Sequence, residues 1–110
     1  MPHTLSVIVP AYNEENTIQR ILQKIGEVEL IGGTQKEIIV VNDCSADNTE
    51  RRVREFQEQH PEMNIVYKKH EVNKGKGAAL RTGIQSATGD FVIVQDADLE
   101  YDPNEFNILM

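Results

Sequence analysis

Carboxylate side chains are concentrated in the segment VQDADLEYDP, residues 94–103, which begins at the end of an apolar run. Asp96, Asp98 and Glu100 occupy alternate positions, so an extended backbone would place all three on one side. Three negative charges on one side repel each other unless a cation neutralises them. Carboxylate oxygens suit Mg²⁺ and Mn²⁺, typically with substrate phosphates completing the coordination shell. The spacing therefore favours a divalent metal site, with a solvated acidic turn as the alternative interpretation.

The segment PAYNEE, residues 10–15, follows another apolar run. Its Tyr12 offers an aromatic ring of the kind that stacks on a planar base. Taken alone, the segment is explained better by a helix start, because Asn13 would cap the helix while Glu14 and Glu15 complement the helix dipole. The residues alone leave both interpretations open.

The segment NDCSADNT, residues 42–49, is rich in side chains that form turns and helix caps. Asp43 comes directly after an apolar run, where a carboxylate can accept a hydrogen bond from a ring N–H or a hydroxyl. We interpret Asp47 as a helix cap. Cys44 has no histidine or second cysteine close by in the sequence, so we interpret it as an inert small residue.

The segment NKGKG, residues 73–77, is a basic turn that leads into a helical pattern. It matches neither the phosphate-loop pattern nor the dinucleotide-binding pattern, because Leu80 stands where the third glycine of the latter is required. Its backbone N–H groups and lysines would suit an anion; a loop with solvated lysines is the alternative. The histidines, His3, His60 and His70, are scattered along the chain, so we expect them at the surface and predict no zinc site.

Composition narrows the class of protein. The chain has 110 residues, one domain's length, with 39% hydrophobic and 26% charged residues. A net charge of −7 disfavours a surface that binds nucleic acid. No apolar run approaches the length of a membrane span, and the N-terminus does not resemble a signal peptide. With its single cysteine, the chain fits a reducing compartment, and we expect a cytoplasmic protein.

Four apolar runs alternate with three helical patterns and would position these segments. The runs predict strands at residues 5–9, 37–41, 64–67 and 90–94. The helical patterns begin near Asn13, Asp47 and Gly75, and the first carries one apolar stripe at Ile18, Ile21, Leu22 and Ile25. The runs IIVV and FVIV do not alternate, which is typical of strands covered on both faces. We therefore predict a three-layer α/β domain with a mainly parallel sheet, whose ligands lie beyond the carboxyl ends of the strands.

Taken together, VIVPAYNEE, IIVVNDCSADNT, NKGKGAALRTG and GDFVIVQDADLEYDP resemble the family-two inverting glycosyltransferases of the GT-A fold, which is Rossmann-like. The resemblance is nearest to the dolichyl- and polyprenyl-phosphate mannosyl- and glucosyltransferases. It covers almost the whole chain and implies that residues 1–110 form a nucleotide-sugar-binding domain, the N-terminal donor-binding half of a longer protein. Asp102-Pro103-Asn104-Glu105 also reads as the start of a helix, capped by Asp102, that continues past Met110.

The resemblance implies a site for the UDP or GDP sugar donor and for Mn²⁺ or Mg²⁺. The implied donor-binding residues are Pro10, Ala11, Tyr12, Glu14, Val41, Asp43, Lys76, Arg81, Asp96, Ala97 and Asp98. The implied metal ligands are Asp96, Asp98 and Glu100. The acceptor would be a glycan or a polyprenyl phosphate, and the longer protein would be associated with the cytoplasmic face of a membrane.

Two features limit the resemblance. The family often has two acids and a glycine where this chain has Asn42, Asp43 and Cys44. The general base that deprotonates the acceptor is expected beyond Met110. Alternative functions are a nucleotide-sugar-binding module without turnover, a nucleotidyltransferase, and a receiver-like signalling domain. The last two are disfavoured, because neither a Gly- and Arg-rich loop nor an acidic pair follows the first predicted strand.

Overall fold

A computed structural model of the chain describes residues 3–28 and 34–95. The elements, in chain order, are β1 (Thr4–Ala11), α1 (Ile18–Glu27), β2 (Gln35–Asn42), α2 (Thr49–Gln59), β3 (Ile65–Lys69), α3 (Lys76–Ser86) and β4 (Phe91–Val94). The strands form one sheet in the order β3-β2-β1-β4, and every pair of neighbours is parallel. The predicted alternation of strands and helices around a parallel sheet is confirmed.

The two central strands, β1 and β2, are covered on both faces, which confirms the prediction made for the run IIVV of β2. Val40 of β2 belongs to the larger core cluster, with the inward residues of α1 and α2. Its neighbours Ile39 and Val41 belong to a second cluster with Ala79 of α3. Because successive side chains of a strand point to opposite faces, α1 and α2 cover one face of the sheet and α3 covers the other. The apolar stripe of α1 is fully buried, which confirms its predicted role.

The same prediction is wrong for β4. Phe91, Val92 and Val94 are 46%, 46% and 41% exposed. Among the described strands, β4 pairs with β1 alone and lies at the edge of the sheet. Helix α3 packs against β1 and β2, and its Ile84 is exposed. An apolar run shows that a strand is able to be buried, whereas the position of the helices decides whether it is.

Helix α3 approaches the sheet closely because its inner face is small. Ala79 and Gly83 are its buried residues. A Cβ added at Gly83 would overlap Cγ2 of Ile8 on β1. The position therefore requires glycine for packing, and this contact sets the distance at which α3 lies over the central strands.

A buried carboxylate fastens the α3–β4 connection to the amino-terminal edge of the sheet. Glu37 on β2 is 6% exposed. It accepts hydrogen bonds from Ser6 Oγ at 2.8 Å and from Thr88 N and Oγ1 at 2.9 and 2.6 Å. Burial raises the pKa of Glu37, but the hydrogen bonds from Thr88 and Ser6 outweigh burial and leave it below its ordinary value. This network lies at the strand edge opposite the predicted ligand site.

The described helices are short. None of those within residues 3–28 and 34–95 combines the length and apolar composition needed to cross a membrane.

Candidate functional site

The polar segments singled out in the sequence meet at the carboxyl ends of three adjacent strands. Ala11, at the end of β1, pairs with Asn42 at the end of β2, and Asn42 pairs with Lys69 at the end of β3. The three connections that follow these strands therefore start side by side. These segments therefore lie at the carboxyl edge of a parallel sheet, where ligands of such sheets bind.

Asn13 joins the first connection to the second. Its backbone N–H donates to Ser45 Oγ at 2.9 Å, and its Oδ1 accepts from the N–H of Ala46 at 2.7 Å. Asn13 has a φ of 54°, a left-handed conformation that asparagine tolerates better than most residues. The interpretation of Asn13 as a helix cap is wrong, because α1 begins only at Ile18 and the amide side chain is used between loops.

Asp47 and Thr49 add a second set of contacts between the same connections. Asp47 Oδ1 accepts from Thr49 N and Oγ1 at 3.0 and 2.5 Å, so Asp47 binds the first residue of α2 but lies one position before the N-cap, which is Asn48. Asp47 Oδ2 accepts from Glu15 N at 3.2 Å, and Thr49 Oγ1 accepts from Glu14 N at 2.9 Å. Burial raises the pKa of Asp47, but the hydrogen bonds from Thr49 and Glu15 outweigh it and lower the pKa below its ordinary value. The first connection is thus held by the start of α2.

The implied donor-binding residues of β1 and its connection differ in exposure. Pro10 and Ala11 are buried within the strand, as is Val41 on β2. Tyr12 is 48% exposed, so its ring is accessible to a planar ligand. Glu14 is partly buried, and its Oε2 accepts from Thr17 Oγ1 at 2.8 Å, next to the start of α1.

Asp43 occupies the centre of the site. It is 4% exposed, and both of its carboxylate oxygens accept hydrogen bonds. Oδ1 lies 2.8 Å from His70 Nδ1 and 2.9 Å from Lys74 N, and Oδ2 lies 2.8 Å from Gly75 N. Burial raises the pKa of Asp43, but the hydrogen bonds from Lys74, His70 and Gly75 outweigh it and hold the pKa below its ordinary value. A buried negative charge is therefore stable at this position.

The basic turn is organised around that charge. The N–H groups of Lys74 and Gly75 donate to Asp43. The prediction that the turn offers its N–H groups to an anionic ligand is thus wrong for these two groups, because the protein supplies the anion. Lys76, the first residue of α3, and Arg81 are exposed, which leaves the side chains of the turn and helix as the basic groups that can reach a ligand.

His70 is a residue of the site that the sequence did not reveal. We expected it at the surface, but it is 7% exposed, so that expectation is wrong. Its Nδ1 meets Asp43, and its Nε2 lies 2.7 Å from Thr82 Oγ1 on α3. The flanking residues Lys69 and Glu71 are exposed. No local pattern distinguishes His70 from a surface residue; the only sequence signal is its position directly after a strand.

The end of β2 and the turn after it contain the two departures from the family pattern, Asn42 and Cys44. Cys44, where the family often has glycine, adopts a φ of 58°, in the left-handed region that favours glycine. Its Sγ donates to the carbonyl of Glu71 at 3.4 Å. Asn42, in place of an acid, is 1% exposed, and its Oδ1 accepts from Ser45 N and Oγ at 3.0 and 2.6 Å. The amide closes the turn without adding a negative charge next to Asp43.

The predicted metal ligands Asp96, Asp98 and Glu100, together with Ala97 and the cap Asp102, lie outside the described residues. Within residues 3–28 and 34–95, no group of three His, Cys, Asp or Glu side chains could hold a metal ion. Gln95, which precedes the acidic segment, is 2% exposed, and its N–H donates to Ile8 O of β1 at 2.9 Å. The oxygen donors of the acidic segment fit a hard divalent cation.

Two curated relatives illustrate the similarity of this chain to known proteins. It is 37% identical over 98 residues to a poly-beta-1,6-N-acetyl-D-glucosamine synthase of Staphylococcus epidermidis, covering 89% of this chain and 22% of that protein. It is 34% identical over 110 residues to the dolichyl-phosphate beta-glucosyltransferase of Dictyostelium discoideum, covering 94% of this chain and 33% of that protein. The chain thus spans about a fifth to a third of the length of these relatives.

Solved structures share the fold. A mannosyltransferase from Pyrobaculum calidifontis, in complex with GDP-Man and Mn²⁺, superposes with a TM-score of 0.85 and 32% identity over 96% of this chain and 30% of that chain. TarS of S. aureus, in complex with UDP-GlcNAc, gives a TM-score of 0.75 and 31% identity over 86% of this chain and 26% of that chain. These neighbours have the GT-A fold, which confirms the predicted fold class.

The family itself is shown by its sequence model. The model for glycosyl transferase family 2 matches residues 6–110, which include the four motifs and the connections that meet at the carboxyl edge of the sheet. This chain therefore belongs to glycosyl transferase family 2.

Proposed function

We propose that this chain is the donor-binding part of an inverting, metal-dependent glycosyltransferase. The enzyme would transfer a sugar from a UDP or GDP sugar to an acceptor. One observation carries the proposal: a buried, ionised Asp43 lies at the carboxyl edge of the sheet, where the connections after β1, β2 and β3 start side by side. Ligands of open α/β sheets bind at this edge.

The nucleotide would bind between the first two connections. Tyr12 presents an exposed ring on which the base stacks. A carboxylate has about four acceptor positions, and Asp43 uses three of them within the protein. The fourth would accept a ring N–H of the base. Pro10, Ala11 and Val41 would shape the floor of this site, and Glu14 would reach the ribose.

The diphosphate and the metal would lie towards α3 and the segment after β4. Lys76 and Arg81 are the basic side chains we assign to the diphosphate. Asp96, Asp98 and Glu100 would hold Mn²⁺ or Mg²⁺, with Ala97 beside the donor. The cation, when bound, stabilises negative charge on the departing nucleotide. The Mn²⁺ in the GDP-Man complex of the Pyrobaculum protein supports the metal assignment.

The names of two relatives support a proposal for the acceptor class. We propose a polyprenyl phosphate or a glycan, supported by relatives named as a dolichyl-phosphate glucosyltransferase and a poly-N-acetylglucosamine synthase. The general base would come from residues beyond Met110. We further propose that the longer protein works at the cytoplasmic face of a membrane, where the lone Cys44 stays reduced.

Calorimetric titration of the chain with UDP, GDP and their sugars, with and without Mn²⁺, tests the proposal. We expect one nucleotide to bind with an affinity that rises at least tenfold when Mn²⁺ is present. Asp98→Ala should abolish the metal effect. Asp102→Ala, which removes an equal charge from the same segment, is the matched control and should preserve it. The absence of binding by all nucleotides, or an affinity indifferent to Mn²⁺, would refute the donor-site assignment.

A further inference from the structure

His70 connects three separate parts of the proposed donor site. Its own N–H donates to the carbonyl of Asn42 at 2.9 Å, which extends the β2–β3 pairing by one residue. Its imidazole then spans from the Asp43 carboxylate to the Thr82 hydroxyl, with contacts of 2.8 and 2.7 Å. One buried ring thus links the end of β2, the end of β3 and the second turn of α3.

The hydrogen bond to Asp43 defines which nitrogen of this ring carries a proton. An ionised carboxylate only accepts hydrogen bonds, so His70 Nδ1 must carry the proton that is donated to Asp43. In the neutral imidazole, Nε2 then accepts from the Thr82 hydroxyl. Both nitrogens have a partner and the ring is 7% exposed, so neither its orientation nor its tautomer is free to change.

The consequences extend to the basic turn through Asp43. The oxygen that contacts His70 also accepts from the N–H of Lys74, and the second oxygen accepts from the N–H of Gly75. Gly75 is the residue that precedes α3, and its φ of 91° is one that other residues rarely adopt. The carboxylate therefore determines where the turn is held and where α3, with Lys76 at its first position, begins.

We infer that His70 is a positioning residue of the donor site. It orients the Asp43 carboxylate for the nucleotide base, and through Asp43 and Thr82 it places the basic turn and the start of α3. This role rests on the proposed function, because it takes the ligand to be a nucleotide. A residue that only filled space would need neither ring nitrogen, whereas here both nitrogens connect to elements that carry implied donor-binding residues.

Three variants separate these roles. His70→Phe keeps a ring of similar size and removes both hydrogen bonds. His70→Asn restores a donor near the position of Nδ1 and omits the contact with Thr82. Thr82→Val removes only the partner of Nε2. His3→Phe makes the same substitution at an exposed histidine away from the site and serves as the control.

Two measurements are made on the full chain and on each variant. Amide hydrogen exchange, followed by NMR, reports the hydrogen bonds of the Lys74 and Gly75 N–H groups without any ligand. Calorimetry with UDP and GDP in the presence of Mn²⁺ reports nucleotide affinity. In addition, ring ¹⁵N chemical shifts of His70 identify the protonated nitrogen in the unmodified chain.

We expect His70→Phe to accelerate exchange at Lys74 and Gly75 by about tenfold, and to weaken nucleotide binding by a similar factor, because one hydrogen bond to a charged group is lost. His70→Asn should recover most of both effects, and Thr82→Val should show a smaller loss. The ¹⁵N shifts should show the proton on Nδ1.

Unchanged exchange at Lys74 and Gly75 in His70→Phe would overturn the inference, as would an Nδ1 that carries no proton. A uniform acceleration of exchange across the whole sheet would also overturn the inference, because that pattern indicates a general loss of stability. If His70→Phe fails to fold, the same comparison is made with His70→Asn and Thr82→Val. If the unmodified chain binds no nucleotide, the proposed function fails, while the exchange data still report on the turn independently.

Discussion

The carboxylate of Asp43 accepts the backbone N–H of Gly75, 32 residues later in the chain, at 2.8 Å. The negatively charged side chain of the second connection thus binds the backbone of the third connection, directly before α3. A basic, glycine-containing turn next to a sheet edge suggests a direct phosphate contact. Here two of its N–H groups bind a protein carboxylate, so the turn is shaped before any ligand arrives.

Replacing Asp43 with asparagine should weaken both the fold and nucleotide binding. The amide would place an N–H₂ group against N–H donors, which leaves at least one buried group without a partner and lowers the free energy of unfolding by about 1–3 kcal/mol. Urea denaturation and calorimetry measure the two effects. Glu58→Gln, a similar change on the exposed face of α2, is the control and should alter neither. Wild-type nucleotide affinity in Asp43→Asn would contradict the assigned role in base recognition.

Stability should fall in acid because, among the residues that the structure describes, three carboxylates have lowered pKa values. Asp43 and Asp47 lie below their ordinary 3.8, and Glu37 lies below 4.5. A carboxylate whose pKa is lowered by folding stabilises the folded state at pH values above its ordinary pKa. This contribution is lost as the pH falls through the folded-state pKa. Urea unfolding measured from pH 6 to pH 2.5 should therefore show a plateau above about pH 5 and a decline below it. Asp47→Asn should flatten that decline. An equally steep decline would contradict the lowered pKa of Asp47.

Cys44→Gly should stabilise the chain. The φ of 58° at Cys44 costs a residue with a Cβ about 1 kcal/mol and costs glycine little. The weak Sγ–carbonyl contact that is lost should not cancel this gain. Ala46→Gly, two residues away and not among the positions with positive φ, is the matched control and should destabilise through added chain freedom. Equal losses of stability in the two variants would show that the turn is not strained at Cys44.

Two glycines of the same helix should respond in opposite directions to alanine. Gly83→Ala places a Cβ against Ile8 and should lower the free energy of unfolding by about 1–3 kcal/mol through overpacking. Gly77→Ala meets nothing within 4 Å and should raise it by up to about 1 kcal/mol, because alanine favours the helix. Thermal and urea unfolding measure both. A stabilised Gly83→Ala would mean that α3 can move away from the sheet.

The sequence was sufficient to predict the elements and the sheet edge at which the polar segments meet. The apolar runs, the buried stripe of α1 and the polar segments after the strands are local patterns. Parallel connection then brings the strand ends together by topology alone. For the same reason Asp43 was identifiable as a candidate site residue from its position after an apolar run.

Only the tertiary structure decided which side chains act on one another. His70, flanked by exposed residues, is buried because α3 brings Thr82 onto one of its nitrogens and β2 brings Asp43 onto the other. Asn13 bridges two connections instead of capping α1, and β4 is exposed although its sequence is as apolar as that of β2. These outcomes depend on contacts between residues 12 to 33 positions apart, or on where a helix lies over the sheet. The local periodicity of a sequence does not predict such contacts, because it indicates which residues of a segment can be buried and not which residues pack against them.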